Sequence, residues 1–192
     1  MRAPRLRPPR GLTLIELMIV VLVLGVLIAL AAPSMRGMIL AQRVRGVNAE
    51  LVTDLQFARS EAARRNRDVS VAVQASCYVV YLDVGLPATA CDCTLTPGIN
   101  VCSGGRQEIK TVQLPPSNDV SLGGFNYGSL VTFSRSSGSL MPLVLNEDAP
   151  DAFEVTVSGN PRGKLRTHVV QSGRPSVCSP DGSISGTATC PP

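Results

Sequence analysis

The chain has 192 residues and a formal net charge of +4, long enough for one domain of ordinary size plus an extra segment. Four of its cations, Arg2, Arg5, Arg7 and Arg10, precede Gly11; without them 14 Lys and Arg stand against 14 Asp and Glu. A global basic field for nucleic acid is thereby excluded, so any phosphate contact must come from a local cluster, and with Trp absent and aromatics few there is no evident platform for stacking bases.

Residues 1–11 are basic and rich in proline, too polar to span a bilayer. From Leu12 to Ala32 the chain is apolar except for Thr13 and Glu16, and at about 1.5 Å rise per residue this run matches the thickness of a bilayer core. Arginines before the run and none within it place the N-terminus in the cytoplasm and the rest of the chain outside it. A secretory signal peptide cleaved near Ala-Leu-Ala-Ala-Pro-Ser34 and an uncleaved anchor are the ordinary alternatives. Neither accounts for Glu16, because a carboxylate at that depth costs about 2.5–3.5 kcal/mol and marks a definite partner.

Pro33 is expected to kink or locally unwind a continuing helix. Beyond it Val44, Val47, Leu51, Leu55, Ala58 and Ala62 recur at steps of three and four, an amphipathic stripe that predicts core packing. Glu61–Arg65 and Arg64–Asp68, each four apart, predict an exposed, ion-paired opposite face. One long helix is expected from Leu12 to about Arg65.

After Asn66 the period becomes two. Val69, Val71 and Val73 alternate with polar residues, Gln74 to Ser76 forms a tight connection, and Tyr78–Val84 is strand-like. Further strands are expected at Glu108–Leu114, Leu130–Phe133, Leu140–Leu145, Phe153–Val157 and Leu165–Val170. The six cysteines are Cys77, Cys91, Cys93, Cys102, Cys178 and Cys190, an even count outside the cytoplasm that favours disulfides. Cys178 and Cys190 form the natural C-terminal pair, and the other four pair among themselves within a long loop. A zinc site would need paired Cys-x-x-Cys spacing, which Cys91-Asp-Cys93 with a remote Cys102 lacks.

Gly11-Leu-Thr-Leu-Ile-Glu16-Leu-Met resembles the class III prepilin signal, with Leu12 where Phe is usual. That resemblance implies cleavage between Gly11 and Leu12, N-methylation of Leu12, and pairing of Glu16 with the α-amine of a neighbouring subunit during filament assembly. Leu51 to Ala63, Val131 to Gly138 and Val169 to Arg174 resemble the helix signature and two sheet motifs of the GspH/FimT minor pilins, and the cysteine loop resembles an insertion. The resemblance implies an α+β, pilin-like fold: a long N-terminal helix packed on an antiparallel β-sheet domain. The expected organisation is a leader at 1–11, a transmembrane and filament-core helix at 12–33, its amphipathic continuation at 34–67, and a periplasmic, disulfide-stapled β-rich domain at 68–192.

The resemblance further implies a tip or priming subunit of a type IV pilus, or alternatively a minor pseudopilin of a type II secretion system. Its expected partners are other major and minor pilins or pseudopilins, the prepilin peptidase and the inner-membrane assembly platform. Some FimT-type relatives bind DNA through Gly-Arg-x-Arg; here Gly173-Arg174-Pro175-Ser176 lacks the second arginine. Arg162, Lys164, Arg166 and Arg174 are nevertheless the expected contacts for duplex DNA, with Lys164, Arg166 and His168 on one strand face. The alternative is a solvated sheet face. No cofactor or metal is expected. With His168 the sole histidine, no nucleophile motif and no Walker loop, the chain is expected not to be an enzyme.

Overall fold

The computed structural model describes residue 11 and residues 13–84, 91–99, 101–125, 129–141, 152–160 and 163–191, with the backbone alone described at 31–34. The chain falls into two units, Met1–Met38 and Ile39–Pro192. Helix α1 runs from Leu14 to Arg65, its backbone helical through Pro33. In the first unit the helix is apolar all round: Leu14, Ile15, Leu17 and Met18 are each more than half exposed. Such a helix has no water-facing side and needs a non-aqueous surrounding or other helices. Glu16 lies exposed among these residues, and its backbone N–H donates to Thr13 Oγ1 at 3.3 Å. Leu12 lies outside the described residues.

In the second unit α1 buries Val44, Leu51, Leu55, Ala58 and Ala62 fully and Val47 in part, as the stripe predicts. The helix stops in a left-handed cap. Asn66 takes φ 50°, its N–H donates to Ala63 O, and the N–H of Arg67 donates to Ala62 O; this paired closure satisfies carbonyls that would otherwise be orphaned.

Two antiparallel sheets pack with the helix. The first has the order β3-β2-β1-β5-β6, from β1 (Val69–Gln74), β2 (Cys77–Leu82), β3 (Gln107–Gln113), β5 (Leu130–Phe133) and β6 (Leu140–Met141). The second has the order β4-β7-β8-β9, from β4 (Val120–Gly123), β7 (Ala152–Gly159), β8 (Lys164–Val170) and β9 (Pro175–Cys178). The β1–β2 hairpin turns on Ala75 and Ser76, with Gln74 opposite Cys77. The last four residues of the expected Leu140–Leu145 strand fall outside the described residues. The strand pattern had given no sign of β4 and β9, which are four residues each and interrupted by Gly, Pro or Ser.

Burial on β7 and β8 alternates strictly, with Phe153, Val155, Val157, Leu165 and Val169 facing the core. On β1 and β2 the one-faced alternation fails: Ser70 is buried between the valines, and all six residues of β2 are buried. The cysteine loop is the reason. Cys77, Val79 and Tyr81 on the outer face pack with Cys91, Cys93 and Val101 in a second apolar cluster, so this part of the sheet is covered on both sides. Gln113 on β3 ties the loop down, its Nε2 donating to the carbonyls of Cys93 at 2.7 Å and Leu95 at 2.8 Å.

The exposed ion-paired helix face is also corrected. Glu61 pairs with Arg65 at 2.6 Å, but its side chain is only 7% exposed, and Arg64 turns to the same carboxylate at 2.7 Å. Asp68 instead accepts the backbone N–H of Arg135. With Arg64 the larger influence and Arg65 reinforcing it against the effect of burial, Glu61 is held at a pKa of about 2. Because that value is depressed, the stabilisation is complete above about pH 4.5 and fades as pH falls toward 2.

The structure pairs Cys77 with Cys93, Cys91 with Cys102 and Cys178 with Cys190. Peptide mapping of unreduced protein should recover these three linkages and no free thiol; a Cys77–Cys91 or Cys93–Cys102 linkage would contradict the packing of the loop on β2. Removing the C-terminal bridge, which closes a separation of 12 residues, should lower stability by roughly 2–4 kcal/mol in denaturant unfolding.

Candidate functional site

The helix signature and the two sheet motifs, far apart in sequence, meet at one corner of the second unit. Arg59 projects from α1 and donates from Nε to the carbonyl of Gly138 at 3.1 Å. Gly138 closes the β5–β6 turn at φ 64°, and Gly173 lies in the β8–β9 turn at φ 75°. A Cβ on Gly173 would come within 2.3 Å of Gly138 O and 3.2 Å of Arg59; at Gly138 it would meet the Arg59 stem at 3.0 Å. Both positions therefore need glycine for backbone geometry and for space. The N–H of Leu140 donates to Gln171 O at 2.9 Å, so the two turns also touch directly.

Above this clasp lies a groove of about 710 Å³. Its walls are Gln56, Arg59, Ser60 and Ala63 from α1, Ser136 to Gly138 from the β5–β6 turn, Arg174 from the β8–β9 turn and Pro175 at the start of β9. Among the described residues, two guanidinium groups line it and no carboxylate does. A smaller groove of about 340 Å³ lies over β7 and β8, where Lys164 and Arg166 stand beside Thr156, Ser158 and Gly124.

The expected DNA-contact residues are thus divided between two places. Lys164, Arg166 and His168 do alternate with buried Leu165, Thr167 and Val169, and so share the outward face. Arg166 is partly compensated by Glu154 at 3.6 Å, while its Nε is buried without a hydrogen bond among the described residues. Arg174 sits at the Val170 end of β8, its carbonyl accepting from Val170 N–H. At about 3.3 Å per residue that is roughly 20 Å from Lys164. Arg162 lies outside the described residues.

Sequence reasoning missed the buried polar groups on α1. Asn48 Oδ1 accepts from Thr167 Oγ1 on β8 at 2.8 Å. Asp54 Oδ2 accepts from Tyr78 Oη on β2 at 2.7 Å and from Lys110 Nζ on β3 at 2.7 Å. Burial, then the neighbouring Asp54 carboxylate, pushes the Tyr78 hydroxyl far above its ordinary pKa, so it stays a donor. Burial opposes the charge of Lys110, but Asp54 and Glu50 outweigh it and raise its pKa. The available signal was the spacing itself: residues 48, 54 and 61 fall on the apolar stripe.

A long N-terminal helix, apolar all round at its start, leading into a helix-and-sheet domain of this topology is a pilin-like α+β fold. Residues 48–173 match the family described as Type II transport protein GspH, and residues 6–32 match the prokaryotic N-terminal methylation motif. The chain belongs to the GspH family; it is a GspH/FimT-type minor pilin or pseudopilin carrying a class III prepilin signal. No curated protein sequence matches it. Its fold is similar to the crystal structure of the type IV minor pilin FimU of Pseudomonas aeruginosa strain PAO1 in space group P21. That match has TM-score 0.51 and 16% identity, covering 74% of this chain and 96% of that one. FimU in space group P65 gives TM-score 0.48 at 17% identity, over 73% and 98%. At such identities the likeness is one of fold alone.

The clasp makes a controlled comparison possible. Gly173→Ala incurs the left-handed penalty of about 1–2 kcal/mol and a clash with Gly138 O. Gly186→Ala, at φ 79° with nothing within 4 Å, incurs only the first. Denaturant unfolding should find Gly173→Ala the more destabilising by at least about 1 kcal/mol; equal losses would mean that the clasp contributes nothing.

Proposed function

We propose that this chain is a minor subunit of a type IV pilus, cut between Gly11 and Leu12, methylated at Leu12, held in the inner membrane by α1 and incorporated near the filament tip. Glu16 carries the reading. It is the sole charged residue between Leu14 and Met35, on a helix whose apolar side chains are exposed. A carboxylate so placed calls for a cationic partner, and the α-amine freed on Leu12 of a neighbouring subunit supplies one. No single described helix is long and apolar enough to cross a membrane, whereas Leu14–Leu30 and Met35–Arg65 pass together on length and composition. The arginines before Gly11 favour a cytoplasmic N-terminus, and the disulfides favour a periplasmic domain. Partners in this reading are other pilins, the prepilin peptidase and the inner-membrane assembly platform. No catalytic role is proposed. The family's description supports the alternative, a pseudopilin of type II secretion; genes for pili or for secretion beside this one separate the two.

N-terminal mass analysis of filament-associated protein should find N-methyl-Leu12, and a mature start near Ser34 would overturn the reading. Glu16→Ala should leave cleavage and membrane insertion intact while reducing incorporation into filaments; normal incorporation would remove the role given to Glu16.

A further contact, with duplex DNA, is supported by Lys164 and Arg166, which share the outward face of β8 and line one groove. In this reading phosphates cross the outward face of β8, and Arg162 and Arg174 contribute only if the duplex lies along the strand. Binding should be weak and indifferent to sequence, with a salt slope of about −0.9 per phosphate contact. The doubly substituted Lys164→Ala/Arg166→Ala domain should lose it. Absence of any band shift by the unaltered protein at high micromolar concentration discards DNA.

A further inference from the structure

The groove over the Arg59 clasp has a composition that the tip role does not explain. Arg59 is half-buried, and its Nε is committed to Gly138 O. That bond fixes the plane of the guanidinium, while its Nη groups make no hydrogen bond among the described residues. Arg174 is exposed across the groove and has no side-chain partner among the described residues. Two cations thus face one space with no carboxylate among its described lining residues, an arrangement whose charge an anion would complement. A planar guanidinium held by one edge offers the other for two parallel N–H···O bonds to an oxyanion.

The space is too large for a free ion: about 710 Å³ against about 30 Å³ for a water molecule's share of liquid. The rest of the lining suits a peptide. Gln56, Ser60, Ser136 and Ser137 offer neutral donors and acceptors, and Pro175 begins β9, an edge strand of its sheet. An extended segment laid here meets amide-like partners along its backbone. A duplex is served less well, because useful affinity for DNA comes from many phosphate contacts and the chain after Gly11 has no net charge to add.

We propose that this groove is an oxyanion site for an acidic peptide segment, with Arg59 and Arg174 clamping one Asp or Glu carboxylate between them. Placing that segment on a neighbouring filament subunit rests on the tip reading; the binding chemistry does not. Arg59 is the fixed half of the clamp, since the clasp orients it, and Arg174 is the mobile half.

The test uses the full chain in detergent micelles and a fluorescent, end-blocked Gly-Glu-Glu-Glu-Gly peptide, followed by polarisation. Saturable binding is expected, with no binding of the Gln counterpart. Arg174→Ala should weaken it about tenfold or more, the worth of one charge-assisted hydrogen bond. Lys164→Ala, in the other groove, should leave it unchanged. Arg174→Lys should recover part of the affinity, since charge returns without the fork. Arg59→Lys should behave likewise, provided its circular dichroism matches that of the unaltered protein. Equal binding of the Glu and Gln peptides, or no effect of Arg174→Ala, overturns the proposal. So does a duplex whose binding depends on Arg174 and which the acidic peptide fails to displace. Filament incorporation is scored separately: an Arg174→Ala chain that loses peptide binding yet enters filaments normally leaves the oxyanion site standing and overturns only the placing of the acidic segment on a neighbouring filament subunit.

Discussion

Helix α1 can dock on the sheets in only one rotation, because its buried stripe is not wholly apolar. Asn48, Asp54 and Glu61 are each buried, and a buried polar group without a partner costs about 1–3 kcal/mol, more when charged. Each finds its partner in a different place: Asn48 on β8, Asp54 on β2 and β3, Glu61 on the helix's own last turn. Turning α1 by one residue, about 100°, would break the first two sets together. Val44, Leu51, Leu55 and Ala58 supply the area that drives docking, but area is indifferent to small rotations. The polar partners are directional and set the register among helix, first sheet and second sheet.

That fixed register is what brings the three family motifs to one corner. Arg59 lies on the turn of α1 between Asp54 and Glu61, so anchoring both neighbours sets its direction. The chain then needs two turns that can approach the guanidinium closely, and glycine at 138 and 173 supplies them at positive φ. A motif that reads as three unrelated strings is therefore one packing unit. Its residues recur as strings because the helix contributes the cation, while each turn contributes a backbone without a side chain.

Much of this was legible in the sequence, and the misses have physical causes. The long helix, β7 and β8 announce themselves by period, since each buries one stripe or face, and β1, β2, β3 and β5 by their β-branched and aromatic residues. β4 and β9 are too short and too polar for a period to register. The two-sided burial of β1 and β2 could not be read locally, because it depends on the distant loop that Cys77–Cys93 and Cys91–Cys102 fold back over the sheet. For Glu61, spacing four from Arg65 suggested a solvated pair; position on the stripe, seven after Asp54, was the stronger cue. The basic row on β8 was read correctly as one-faced, yet Arg174 could not be placed relative to it without knowing that β9 turns back at Val170.

The split of the cations between the two ends of β8 changes what the surface can recognise. A polyanion is held by many evenly spaced charges, and the row at Lys164 and Arg166 provides little of that once Glu154 stands beside Arg166. The far end holds as many described cations, two, but more geometry. There one guanidinium is fixed by a backbone carbonyl, a second faces it, and neutral hydrogen-bonding groups surround both. Fixed direction favours a single oxyanion over a line of them, because a bidentate pair gains from orientation while a phosphate backbone gains chiefly from charge number. The same clasp that locks α1 to the sheets therefore also preorganises the surface above it, and selectivity at that corner follows from how the fold is held together.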